Sequence, residues 1–208
     1  MAKEYPSIED VIVVLPDTVD KDGLRSFLTE LDREYESKAS IGSLYELDVD
    51  LIQSQCEIDS KWYGTYVRPS SKGLFQKFAV VKNTYNQAIC PICEGVFSTK
   101  VTLEHIMPKS EKENDDRKLG EPRLAILPIN LVKCCGEYNT SKHSKRSFTK
   151  EESEINPYFE EFDIEDYIEV NFNDTDETFQ PNIKFHYQDN PMDKRIQNFI
   201  NNYNIEKT

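Results

Sequence analysis

Apolar positions fall into three successive patterns along the chain. In the first third they recur at helical spacing: Leu24, Phe27, Leu28, Leu31 and Tyr35 follow i, i+3, i+4, i+7 and i+11, one face of a helix, with Asp20 or Asp22 placed to cap its start. A shorter helix is predicted over residues 47–52. Leu74, Phe75, Phe78, Val81 and Tyr85 mark another helical face that leads directly into Cys90, and Arg68-Pro69-Ser70-Ser71-Lys72-Gly73 punctuates the chain before it. In the middle third, residues 101–106 alternate as a strand does, and residues 125–132 form an apolar, strand-like run. Between them lies a polar stretch over 109–122, longer than most loops in compact domains and therefore functional or disordered. Residues 138–146 fit a short helix. In the last third, 166–172 and 183–187 read as strands around a polar turn, and Met192, Ile196, Phe199, Ile200 and Tyr203 give a closing amphipathic helix. The order predicts an α+β fold.

Charge divides the chain along the same lines. The total of -13 argues against a nucleic-acid protein, but it is unevenly spread. Residues 1–87 carry 10 basic and 15 acidic side chains, residues 88–148 carry 10 and 8, and residues 149–208 carry 5 and 15. Only the middle third is basic, and phosphate affinity depends on local rather than total charge. The acidic flanks either serve a partner that gates nucleic-acid engagement or only aid solubility. No run approaches the roughly 18 apolar residues that span a bilayer. The N-terminus, MAKEYPSIED, lacks the basic-then-apolar pattern of a secretory signal, so a cytoplasmic location is expected.

The middle third also holds the candidate chemistry. Five cysteines without a secretory signal argue against a disulfide framework, and Cys90-Pro91-Ile92-Cys93-Glu94-Gly95 reads as a metal knuckle with a turn. Cys134 and Cys135 follow on the later apolar run, while Cys56 reads as a buried core cysteine. His105 is suited to accept a proton near neutral pH. Glu104 beside it points to the opposite face of a regular pleat, so the two share one site only where the strand end twists or bulges. Trp62, Tyr63 and Tyr66, near Arg68, either stack on bases or pack against the middle third or a partner. His186 reads as structural.

Glu104-His105-Ile106-Met107-Pro108-Lys109-Ser110, then Asn130-Leu131-Val132-Lys133-Cys134-Cys135, then Asn139-Thr140-Ser141-Lys142, together resemble the HNH (ββα-metal) endonuclease family over about residues 88–146. That family places an acidic residue and His at the end of a first strand, Asn on a second, and Asn or His on the following helix, often with outer Cys-x-x-Cys knuckles. The resemblance implies a central HNH nuclease module at 88–148, a helical N-terminal arm at 1–87 and a small strand-plus-helix extension at 149–208. It implies that His105 is the general base in hydrolysis of DNA, that Glu104 and Asn139 ligate a catalytic Mg2+ or Mn2+, and that Asn130 clamps the loop and orients His105. His143, four residues after Asn139, is a further metal or phosphate ligand or else a solvent-facing histidine. Lys142, Lys145 and Arg146 are implied phosphate contacts.

For structural zinc the resemblance leaves a defect. Cys90 and Cys93 form the first pair, but the second pair falls on Cys135 and Tyr138, with Cys134 an extra thiol next door. Three outcomes stand open: a strained four-cysteine site with Cys134 and Cys135, a three-cysteine site completed by another residue, or a decayed site. The arrangement is also similar to small HNH proteins of Septu and retron-type anti-phage systems, which implies an SMC-like ATPase partner docking on the acidic flanks. The alternatives are a zinc-binding interaction module whose catalysis has decayed, and a restriction, homing or phage HNH nuclease.

Overall fold

The computed structural model describes residues 5–52, 58–59, 61–69, 74–78, 80–97, 100–109, 113–114, 117–118, 121–141, 149–160, 164–172, 181–186 and 191–203. Cys56, Lys142, His143, Lys145 and Arg146 lie outside the described residues, as does the side chain of Asn139.

The first third is helical because its apolar stripe needs a helix to become one face. Helix α1 (Ile8–Val14) starts at a capping box: the Ser7 hydroxyl accepts from the Asp10 N–H while the Asp10 carboxylate accepts from the Ser7 N–H. Helix α2 (Lys21–Ser40) is capped by Asp20, whose carboxylate accepts from the Gly23 N–H at 3.0 Å, and it buries Leu24, Phe27, Leu28, Leu31, Tyr35 and Ala39. Residues 47–52 do not make the expected α-helix. Short 3-10 turns form at Leu44–Glu46 and Val49–Leu51, because Asp48 accepts from the Asp50 N–H at 3.0 Å and so competes with helical pairing. A π-helical turn follows at Tyr63–Val67, closed by the Arg68 N–H on the Tyr63 carbonyl at 2.8 Å.

The helical face predicted from Leu74 to Tyr85 is cut short. Helix α3 (Leu74–Lys77) gives way to strand β1 (Val81–Lys82), which pairs with β2 (Ala88–Ile89). The turn between them is set by asparagine chemistry: the Asn83 side chain accepts from the Tyr85 and Gln87 N–H groups, both at 3.0 Å, and Asn86 takes φ 61. Tyr85 is thereby exposed.

Strand β3 (Val101–His105) lies in the middle third. The polar stretch after it contains β4 (Glu113–Asn114) and β5 (Arg117–Lys118), a minimal hairpin. Strand β6 (Leu131–Cys135) starts later than the apolar run suggests, since Pro122–Leu124 and Pro128–Asn130 are 3-10 turns. Each opens with a proline, whose fixed φ suits a first helical position and whose missing N–H is not needed there. The residues between, Ala125–Leu127, are a buried turn rather than a strand. Strands β3 and β6 pair antiparallel in unbroken register, from Val101↔Cys135 to His105↔Leu131. Helix α4 (Gly136–Ser141) follows β6 directly. The Gly136 N–H donates to the Lys100 carbonyl at 2.9 Å, and a Cβ at Gly136 would sit 3.0 Å from that oxygen, so glycine lets the helix begin against β3.

In the last third, β7 (Ile168–Phe172) and β8 (Pro181–Phe185) form an antiparallel pair. Just beyond β8, His186 is exposed and its Nε2 lies 2.7 Å from Glu169 Oε2. Helix α5 (Pro191–Tyr203) packs back on α4 and on residues 150–152, burying Ile196, Phe199, Ile200 and Tyr203. The buried Arg195 guanidinium grips Glu160 at 2.6 and 2.8 Å and the Ser153 and Glu154 carbonyls at 3.1 and 2.9 Å. The apolar core runs through all three thirds, from Val11 to Tyr203. Among the described residues no helix is long and apolar enough to cross a membrane.

Candidate functional site

The site forms where β3 ends. His105 is only 8% exposed. Its Nε2 lies 3.1 Å from the Ala125 carbonyl oxygen, and a carbonyl can only accept. Nε2 therefore carries the hydrogen, and in the neutral ring Nδ1 holds the lone pair. The Tyr63 ring meets His105 nearly edge-on at 4.4 Å between centroids, and the Tyr63 hydroxyl donates to the Leu103 carbonyl at 2.9 Å. Burial pushes the Tyr63 phenol well above its ordinary pKa, so it stays a neutral donor. Of the aromatic cluster near Arg68, Tyr63 thus packs into the site, and Trp62 and Tyr66 pack against the core.

Asn130 is fully buried and holds the loop that follows His105. Its Oδ1 accepts from the Met107 N–H at 2.8 Å and the Tyr35 hydroxyl at 2.9 Å. Its Nδ2 donates to the Met107 and Leu124 carbonyls at 3.0 and 3.3 Å. All four capacities of the amide are used. One of these partners, Tyr35, comes from outside β3, β6 and α4 and is itself held from the last third. Tyr35 arrives on α2, and Asn156 donates to the Tyr35 oxygen at 3.4 Å and to the Ile129 carbonyl at 3.1 Å. From the sequence, Tyr35 reads only as core. Its position at the end of an otherwise aliphatic stripe is the available signal, since a buried phenol requires a partner.

Glu104 is 7% exposed and pairs with Val132, while His105 pairs with Leu131. The ladder has no bulge between them, so the pleat sends the two side chains to opposite faces at the last two positions of the strand. Burial, and to a lesser degree the negative charge of Glu104, raises the pKa of both Tyr63 and Tyr203. Asn139 lies on α4, whose backbone begins beside β3.

The face that carries His105 also carries cations. Leu103 and Lys133 are paired, and both lie on the His105 side of the two-stranded ladder. Lys133 is 7% exposed, with its ammonium 4.9 Å from the Phe75 ring centroid. Lys109 sets its ammonium 4.5 Å over the Tyr63 ring. Burial lowers the pKa of both lysines, and the charge of Arg68 lowers Lys109 further.

At the far end of the same face, Cys90, Cys93 and Cys135 bring their sulfurs within 4.8 Å of one another. The Cys135 N–H donates to Cys90 Sγ at 3.4 Å, and the knuckle closes through the Glu94 N–H on the Cys90 carbonyl at 2.8 Å, with Glu94 at φ 58. A hydrogen bond from Cys93 lowers the Cys90 thiol's pKa and raises that of Cys93. Three convergent cysteines can hold a thiophilic ion such as zinc. Cys134 takes no part: the pleat turns it to the other face, where its sulfur lies 3.8 Å from Thr102 Oγ1. The strained four-cysteine arrangement is therefore not the one formed. Tyr138, buried at the position of the missing cysteine, lies near enough to the Cys93 sulfur to favour its thiolate slightly, against the larger raising effects of Cys90 and burial.

Comparison of the chain with protein-family models, with curated proteins and with solved structures returns no match.

Proposed function

We propose that the chain is a metal-dependent endonuclease of the ββα-metal (HNH) type, with His105 as the general base in phosphodiester hydrolysis. The observation that carries this reading is the state of His105. Its Nε2–H is held by the Ala125 carbonyl, the following loop is locked by Asn130, and Nδ1 is left as the basic nitrogen. A base held in one tautomer on a buried strand end is what proton abstraction from water requires. The order β3, β6, α4 supplies two antiparallel strands and a helix around it.

To a divalent cation such as Mg2+ the site would offer the buried carboxylate of Glu104, a hard oxygen donor adjacent to this histidine in the chain. Glu104 and Asn139 would hold it. When bound, it stabilises charge on the phosphate and the leaving oxygen. The zinc reading assigns Cys90, Cys93 and Cys135 a structural role, pinning the knuckle to the corner between β6 and α4.

A second reading, an interaction module without catalysis, draws on the opposed faces of Glu104 and His105. One experiment separates the two. In the nuclease reading, His105→Ala abolishes divalent-ion-dependent nicking of plasmid DNA with the fold retained by circular dichroism. Undiminished nicking by that variant removes the reading.

A further inference from the structure

Among the described residues the lysines on the His105 face have no acidic partner. Lysine is rarely buried without an acidic partner, because the charged form loses its hydration. Lys133 sits in the middle of β6, at a position flanked by buried apolar residues, and is itself more than nine-tenths buried. Among the described residues neither it, Lys109 nor Arg68 forms an ion pair, although carboxylates outnumber cations in this chain. Their nearest partners are aromatic rings: Phe75 under Lys133 and Tyr63 under Lys109. Those rings orient the ammonium groups without neutralising them. Arg68 follows the π-helical turn that carries Tyr63, close enough for its charge to depress the basicity of Lys109. The two lysines are thus set on the histidine's side of the ladder, Lys133 largely stripped of water and Lys109 over the ring that meets His105.

We propose that Lys109 and Lys133 form a phosphodiester-binding site that seats a nucleic-acid strand across the His105 face. This deepens the nuclease reading and rests on it for the identity of the ligand. Successive same-face residues on a strand are about 6.6 Å apart, so Lys133 stands one such step along from the Leu131–His105 pair. That spacing places a phosphate on Lys133 next to one presented to His105. An arriving phosphate gives both lysines the anionic partner that they lack among the described residues. The aromatic supports leave the contact indifferent to base sequence.

The test is binding in the absence of added divalent ion, so that affinity is read apart from cleavage. Fluorescence anisotropy is measured with labelled single-stranded DNA, duplex DNA and single-stranded RNA, for the wild type, Lys133→Met and Lys109→Ala. Each substitution is expected to weaken binding by about tenfold. Each should also reduce the magnitude of the salt slope by about 0.7–0.9. Lys133→Met should melt above the wild type, because a desolvated charge is replaced by an apolar chain of similar length. Affinity and salt slope that match the wild type in both variants overturn the proposal, as does a wild-type protein that binds none of the three probes. Binding that falls in the variants, in a protein that nicks nothing with Mg2+, upholds the site and removes the nuclease reading alone.

Discussion

The substitution Asn130→Asp changes one NH2 group to an oxygen and leaves the shape of the side chain intact. The Oδ1 contacts survive, because a carboxylate still accepts from the Met107 N–H and the Tyr35 hydroxyl. The other end inverts. An oxygen now faces the Met107 and Leu124 carbonyls, formerly 3.0 and 3.3 Å from a donor. Two buried acceptors lose their partner and a charge is buried beside them, a cost of about 3 kcal/mol near pH 8. At roughly 2–4 °C per kcal/mol for a chain of this size, the melting temperature falls by about 6–12 °C. The deficit depends on pH with a defined sign. Once protonated, the introduced carboxyl can donate to one of the two carbonyls, so its pKa in the folded state lies above the ordinary value of about 3.9. The folded variant then binds more protons than the unfolded one, and its stability falls as pH rises between the two pKa values. Thermal melts of variant and wild type at pH 5 and pH 8 read this directly: the gap should be small at pH 5 and large at pH 8. A variant as stable as the wild type at both pH values, or a gap that widens toward acid, would refute the closed four-bond network around Asn130.

The other predictions are simpler. Tyr35→Phe removes one partner while Asn130 Oδ1 keeps the Met107 N–H and Asn156 keeps the Ile129 carbonyl, so urea unfolding should show a loss of about 1–2 kcal/mol. Tyr138→Cys supplies a fourth thiolate to Cys90, Cys93 and Cys135, so competition with a chromophoric chelator should show tighter zinc binding than in the wild type; weaker binding would place Tyr138 in a contact that the ion needs.

What is legible in the sequence is what depends on local pattern. The α2 stripe, its Asp20 cap, the β3 alternation and the α5 face all follow from spacing and short-range chemistry. The capping box at Ser7 and Asp10 is equally local, but the helix it opens has only seven residues, too few to show a periodic face. The strand expected over 125–132 is misplaced because an apolar run states burial, not conformation, and Pro128 decides the latter. The Leu74 to Tyr85 face is overextended because apolar spacing continues through a turn that Asn83 and Asn86 impose. At the site, residue types near one another in sequence are visible, and the separation of Cys134 from Cys135 follows from strand period alone. The roles of Tyr35 and Asn156 and the ring contacts of Lys109 and Lys133 are not visible. The Tyr35 and Asn156 contacts span 27 to 121 residues of chain, and the lysines likewise meet their rings only through the fold, which no periodicity encodes.

The hydrogen-bonded hub of Tyr35, Asn130 and Asn156 bears on how the protein is made. A ribosome delivers the histidine and the lysines of the middle third before residue 156 exists, and domains fold as their chain becomes available. Until Asn156 and the Arg195 clamp behind it emerge, the loop after His105 lacks part of its lock. A half-synthesised chain therefore carries the histidine and the Asn130 bonds to Met107, Leu124 and Tyr35 before the hub is closed. The last third of the chain completes the hub by holding Tyr35 and the Ile129 carbonyl from behind.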